Sequence, residues 1–345
     1  MKVWYRRVAR IGLISIFLVV LAGSVVRMTG SGMGCPDWPK CFGYIIPPTD
    51  EDQVIWQPNN PYQKGQMILE NDAFWVAKEN FNSTSSLNWS HWEKYTKHDY
   101  TTFNVFHTWT EYINRLLGAF SGLPVLLMVV FSFSFWKTDK VLIFSSVGTL
   151  FMLGFEAWLG KVVVDGNLVP GQITLHMFGA LLIILLIIFS IRKSSPKPRV
   201  AVHRNTYWLV FGLTLFSALQ IFLGTNVREE VDYLLKAGVD RTDLIANISM
   251  IFKVHRSYSI MLVLMNAALF WLWWKAQMPT KLIAPLLAVV LVEIALGITL
   301  TYAGFPEFAQ PTHLLLGFIM MGVLFNLTLV LKPIRKSQSN ETSLA

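Results

Sequence analysis

The sequence predicts an all-α integral membrane protein: eight transmembrane helices as two repeated four-helix bundles, with both termini cytoplasmic. Three observations carry the prediction. Eight apolar runs have membrane-spanning length, basic residues gather in alternate connectors, and polar positions recur between the two halves. Of 345 residues, 53% are hydrophobic and 14% charged, with mean hydropathy +0.46, well to the apolar side of a soluble domain. That much apolar surface excludes disorder. Two cysteines exclude both a disulfide-dense secreted scaffold and a zinc protein built on several thiolates.

The apolar runs fall near 8–27, 105–135, 141–164, 171–191, 206–227, 250–274, 282–302 and 311–331, each close to the ~20 residues a helix needs to cross the hydrocarbon. The first follows a basic start, as a cleaved signal would. It lacks a small-residue cleavage site and continues into Arg27 and a glycine-rich turn, so a retained helix is expected. No Arg/Ser-rich extension precedes it, which favours a bacterial plasma (inner) membrane. Lys2, Arg6, Arg7, Arg10, Lys137, Lys140, Arg192, Lys193, Lys197, Arg199, Arg204, Lys275, Lys281, Lys332, Arg335 and Lys336 share the connectors of one side. The positive-inside rule makes that side cytoplasmic. The net charge of +8 is thereby an orientation signal, and no nucleic-acid partner is expected. Trp136, Trp208, Trp271, Trp273 and Trp274 at the cytoplasmic helix ends form an interfacial belt.

The halves repeat. The first span ends Gly23-Ser-Val-Val-Arg27 and the fifth Gly224-Thr-Asn-Val-Arg228; the second carries Asn114-Arg115 and the sixth His255-Arg256. Gly160 precedes His176 as Gly297 precedes His313, sixteen residues in each case. The domains read as 1–195, with a long outer loop over 28–104, and 196–345, with a shorter loop over roughly 228–249. Four-helix units share one orientation, so the histidines lie at a common depth near the outer face.

Intramembrane ionisable groups point to function. His255 and His313, on facing helices at matching depth, suit axial ligation of a haem iron. Arg256 and Arg228 can pair with haem propionates, and Arg115, which matches Arg256 in the first half, is likewise expected to bind the cofactor. In the first half His176 matches His313, whereas Asn114 stands where the second half has His255, and asparagine is a poor iron ligand. His107, Glu111 and Asn114 share one helical stripe, with His107 about 10 Å further along the axis than position 114. Its alternative reading is an interfacial histidine at a helix start. Glu111, whose repeat counterpart is Phe252, is placed to move protons or to stabilise developing positive charge, or else to pair with Arg115 one turn on. For Glu156, Lys161 and Glu293, interhelical pairing is favoured over proton relay. Cys35 and Cys41, in the outer loop, are expected to form a disulfide. Gly30-Ser-Gly-Met-Gly34 reads as a flexible turn, and His91, His98 and His203 as solvated loop residues.

The segment Arg27-Met-Thr-Gly-Ser-Gly-Met-Gly-Cys-Pro-Asp-Trp-Pro-Lys-Cys41, the stretch Glu111-Tyr-Ile-Asn-Arg-Leu-Leu117, His176, His255-Arg256 and Pro311-Thr-His313 together resemble the haem A synthase family over essentially the whole chain. The resemblance implies oxidation of a ring methyl of haem O to a formyl group, giving haem A for cytochrome oxidase assembly. It implies haem b held by His255 and His313, with substrate haem O near His176 and Glu111. The outer cysteines resemble the disulfide of the bacterial two-cysteine type. Implied partners are haem O, haem O synthase, an electron acceptor and the lipid bilayer, with a homo-oligomer among the options. The family has histidine where this chain has Asn114, which leaves the substrate iron to His176 alone or to His176 with a repositioned His107. Two other readings share the histidines: a di-haem electron carrier between quinol and an outer partner, and a haem-handling assembly scaffold.

Overall fold

The computed structural model describes residues 1–97, 102–166 and 171–334. His98, Arg335 and Lys336 lie outside the described residues. The helices are α1 (Lys2–Met28), α2 (Val105–Ser132), α3 (Lys140–Asp165), α4 (Gln172–Lys193), α5 (Arg204–Lys236), a single turn α6 (Leu244–Asn247), α7 (Met250–Lys275), α8 (Thr280–Tyr302) and α9 (Ala309–Val330). All but α6 are long and apolar enough to cross a membrane, which makes the chain a multi-pass membrane protein. Their starts follow local chemistry: the side chains of Asn104, Asp139 and Ser249 accept N–H bonds in the first turns of α2, α3 and α7.

One boundary differs from expectation. Helix α5 does not stop near Val227 but runs to Lys236, because Val227 and Val231 continue its apolar stripe. They join a buried cluster with Leu244, Ile248, Phe252 and Phe305.

The helices pack in two groups, and α2 lies closely on α3 whereas α7 barely touches α8. Helix α1 lies against α2 and α4, and α3 against α4; α5 lies against α7 and α9, and α8 against α9. The halves meet where α9 packs on α1 and α4. Between helices, Tyr5 Oη bonds Ser146 Oγ at 2.9 Å, Ser145 bonds Ser190 at 2.9 Å, and Thr214 bonds Thr328 at 3.1 Å. Such bonds contribute roughly 0.6 kcal/mol each in a bilayer, so close packing carries most of the association. The apolar core of the first half centres on Ile184, Ile187 and Met128, and that of the second on Leu213, Leu269 and Leu286.

The long segment between α1 and α2 forms a small β unit. Strands β1 (Pro61–Tyr62) and β4 (Phe81–Asn82) pair antiparallel; β2 (Met67–Glu70), β3 (Ala73–Ala77) and β5 (Trp92–Lys94) form a three-stranded sheet in the order β2-β3-β5. Its core gathers Phe42, Val54, Met67 and Phe74 around the Cys35–Cys41 disulfide. At the opposite end of the helices, β6 (Val200–Val202) pairs parallel with β7 (Leu331–Pro333). The expected flexible turn at 30–34 is instead packed. Ser31 and Met33 are buried, and a Cβ at Gly34 would overlap the backbone carbonyl of His107.

Candidate functional site

In the second half, His255 and His313 each stand in the second turn of their helices, α7 and α9. Their ring centres are 6.5 Å apart, with planes 86° to one another. An imidazole nitrogen binds a metal at about 2 Å and its ring centre lies about 1 Å beyond, so two rings sharing one iron stand ~6 Å apart. The observed spacing fits. Both rings line a cavity of about 540 Å³, walled also by Arg228, Arg256, Gly224 and Gly297. Gly224 makes room for His255: a Cβ there would lie 3.1 Å from the ring Cε1. His255 Nδ1 has no hydrogen-bond partner among the described residues, and Gln220 reaches its Nε2 at 3.4 Å and its carbonyl at 3.2 Å. Two imidazoles facing a mostly apolar cavity of this size are a donor set that suits a haem.

The basic residues divide. Arg256 is exposed, with its guanidinium 5.9 Å from the centre of the Phe252 ring, and is available to an anionic group. Arg228 bonds Gln310 and pairs with Asp232 at 2.7 Å. Asp232 also takes Arg27 at 2.7 Å, so one carboxylate joins the arginines that close α1 and the matching stretch of α5.

The first half holds the counterpart positions differently. Asn114 faces Gly23 as His255 faces Gly224, with Oδ1 3.7 Å from where a Gly23 Cβ would stand; that oxygen is buried without a hydrogen-bond partner among the described residues. His176 Nδ1 lies 2.5 Å from Glu156 Oε2, and its ring rests 3.8 Å from the Cβ position of Gly160. In the second half His313 Nδ1 likewise meets Glu293 Oε2. Both contacts are close, though neither has the alignment of a formed hydrogen bond.

The stripe His107, Glu111, Asn114 turns toward α1 and the outer segment rather than the large cavity. His107 Nδ1 is 2.9 Å from Ser31 Oγ. Glu111 is 3% exposed; its Oε2 accepts the Cys35 N–H at 2.9 Å and its Oε1 pairs with Arg115. Arg115 also donates to the carbonyls of Asp37 at 2.7 Å, Lys40 at 3.0 Å and Cys35 at 3.3 Å. The carboxylate and its partner thus clamp the disulfide loop onto α2. Both cysteines are buried, at 0% and 1% exposure, away from free thiol exchange. Beside the loop, burial raises the Tyr95 phenol to about 12.

Asp232, Gln220 and Ser31 were not singled out from sequence. Only Asp232 left a signal there, an acid one helical turn beyond Arg228. The partners of Gln220 and Ser31 are remote in sequence.

Fold and site together define a multi-pass helical membrane protein with an imidazole pair across an intramembrane cavity. The chain belongs to the COX15-CtaA family, described as cytochrome oxidase assembly protein, which matches residues 6–91 and 65–325. It is 23% identical to the Heme A synthase of Bartonella tribocorum over 64% of this chain and 58% of that protein. It is 28% identical to the Heme A synthase of Bartonella bacilliformis, over 56% of this chain and 51% of that one. It is 19% identical to the Heme A synthase of Bacillus cereus, over 63% and 55%. The chain therefore spans little more than half the length of these relatives.

Proposed function

We propose that the chain converts haem O to haem A by oxidising a ring methyl to a formyl group, in a bacterial inner membrane with both termini cytoplasmic. The observation that carries this is the His255–His313 pair, 6.5 Å apart across a cavity of about 540 Å³, in a chain similar to Heme A synthases. His255 and His313 would hold haem b, and the exposed Arg256 that lines the same cavity would pair with its carboxylates. When bound, haem b supplies one-electron transfer. Its two protein ligands come from packed helices, which fix the site before the group enters.

The first half takes substrate haem O. His176 binds its iron, and Asn114 contributes a hydrogen-bonding amide where a second imidazole would stand. Glu111 stabilises positive charge, or accepts the proton released, as the methyl is oxidised. Its support is burial one turn from Asn114, and Cys35 N–H and Arg115 hold it in place. An electron acceptor takes up the electrons removed from the methyl, and haem O synthase supplies the substrate.

Pigment extracted from protein produced together with a haem O source tests the reading. Chromatography and mass should identify haem A beside haem B. Haem B alone in the active preparation, with haem O returned unchanged, would instead establish an electron carrier or scaffold. Glu111→Gln should abolish haem A while leaving haem b in place; undiminished haem A would remove Glu111 from the chemistry.

A further inference from the structure

The two glutamates outside the proposed chemistry repeat each other. Glu156 on α3 precedes His176 by the same twenty residues that separate Glu293 on α8 from His313 on α9. In each half the carboxylate Oε2 meets the histidine Nδ1, at 2.5 Å for the first pair and as a close contact in the second, within reach of a hydrogen bond that a small turn of the ring would align. Both carboxylates are largely removed from solvent, with side chains 6% and 12% exposed. Among the described residues neither has a Lys or Arg within ion-pair distance, and the histidine Nδ1 is the group that each carboxylate meets. A carboxylate inside a membrane bundle is costly unless it has a task.

We infer that Glu156 and Glu293 are positioning residues, each holding the Nδ1 edge of the facing histidine so that Nε2 is the nitrogen left to bind haem iron. The inference rests on the reading of His176 and His313 as iron ligands. Metal-bound histidines usually donate the second ring N–H to a carboxylate or carbonyl, which fixes the tautomer and raises ligand basicity. A more basic ligand stabilises ferric over ferrous iron and lowers the reduction potential. His255 has no carboxylate behind it; its neighbour is the neutral Gln220. The second-half pair therefore joins one anion-backed ligand to one neutral ligand, and Glu293 is the group that sets the difference.

In the first half the device extends to a glycine. A Cβ on Gly179, one turn beyond His176 on α4, would overlap the Glu156 carboxylate. The missing side chain is what lets the carboxylate reach the histidine.

The haem-loaded protein carrying Glu293→Gln or Glu293→Asp tests the inference, using haem content, redox titration and the low-spin electron paramagnetic resonance signal. E293Q should retain haem, shift the midpoint potential of one haem to more positive values and change its g-value spread. E293D should fall between E293Q and the unmodified protein. Should E293Q lose haem while still eluting as a single folded species, recovery of haem in E293D would support the same conclusion. Retained haem with unchanged potential and unchanged signal in E293Q would overturn it, as would haem loss that E293D does not restore. His313→Ala serves as the reference: if it leaves the low-spin signal intact, the ligand reading fails first, and the inference falls with it.

Discussion

Helices α2 and α7 occupy matching places in the two halves, and their polar residues do opposite work. On α2, Glu111 and Arg115 close on the disulfide loop, with Arg115 bonded to three carbonyls of residues 35–40. On α7 the counterparts are Phe252, buried in an apolar cluster, and Arg256, exposed above it. The connection between flanking helices decides the difference. Between α1 and α2 stands a folded β unit that covers the α2 face, whereas α5 and α7 are joined by a short segment that leaves His255 and Arg256 on an open cavity. One helical frame thus yields a braced site and an accessible one.

The largest effect should come from exchanging the residues that make the halves unequal. His255→Asn gives the second half the pattern of the first, and should abolish the low-spin haem signal of the purified protein. Asn114→His gives the first half the pattern of the second, and should add a second bis-imidazole signal. If H255N keeps its signal, the imidazole pair is not the ligand set. Next in size are the matched arginines. Arg115→Ala leaves Glu111 buried without its counter-ion and should cost about 3–5 kcal/mol. Arg256→Ala removes an exposed contact to Phe252 and should cost under about 1 kcal/mol. Thermal unfolding in detergent would compare them, and equal losses would mean the loop clamp contributes nothing special.

A smaller contrast separates two glycines on the histidine-bearing helices. Gly179→Ala displaces the Glu156 carboxylate and should cost about 1–3 kcal/mol as an overpacking change. Gly317→Ala meets Glu293 Oε1 at 3.9 Å, an ordinary contact, and should be nearly neutral. Matching melting shifts would show that the first-half carboxylate is not confined as the packing implies.

The legible part of this molecule was what periodicity and charge encode. Span lengths follow from hydrocarbon thickness, and the repeat set Gly23 against Gly224 and Asn114 against His255 as two separate matches; that each glycine faces the polar residue of its own half is known only from the fold. Interhelical pairing of Glu156 and Glu293 was also foreseeable, because a lone membrane carboxylate needs a partner. The direction of the α2 stripe was not. Helical spacing says that His107, Glu111 and Asn114 share a face, but which body covers that face depends on how residues 29–97 fold back. The extension of α5 to Lys236 was hidden for a related reason. Its charged residues read as loop, while the apolar stripe that keeps it helical needs Phe305, remote in sequence, to be buried.

The smallest expected effect lies in the brace itself and should be absent from the second half. Asp37 sits in the disulfide loop, its Oδ2 accepting the Gly43 N–H at 2.9 Å and its carbonyl accepting from Arg115. Burial pushes its carboxyl above the ordinary range, only partly offset by the Gly43 and Phe42 N–H groups and Arg115. A carboxyl raised in the folded state favours folding most when protonated. Its contribution is complete below the unfolded value, near about 3.9, and is lost as pH rises through the raised folded value. The loop should therefore loosen on going from acid toward neutral pH, by about 1 kcal/mol or less, the scale of one hydrogen bond. Asp37→Asn keeps an acceptor for Gly43 but cannot ionise, so it should flatten that dependence. Amide exchange of residues 35–43 across this range reads the effect directly, with the α5–α7 connection as the internal control. Identical pH profiles in D37N and the unmodified protein would mean that the clamp on α2 is held by Arg115 and Glu111 alone, with no contribution from the acid between the cysteines.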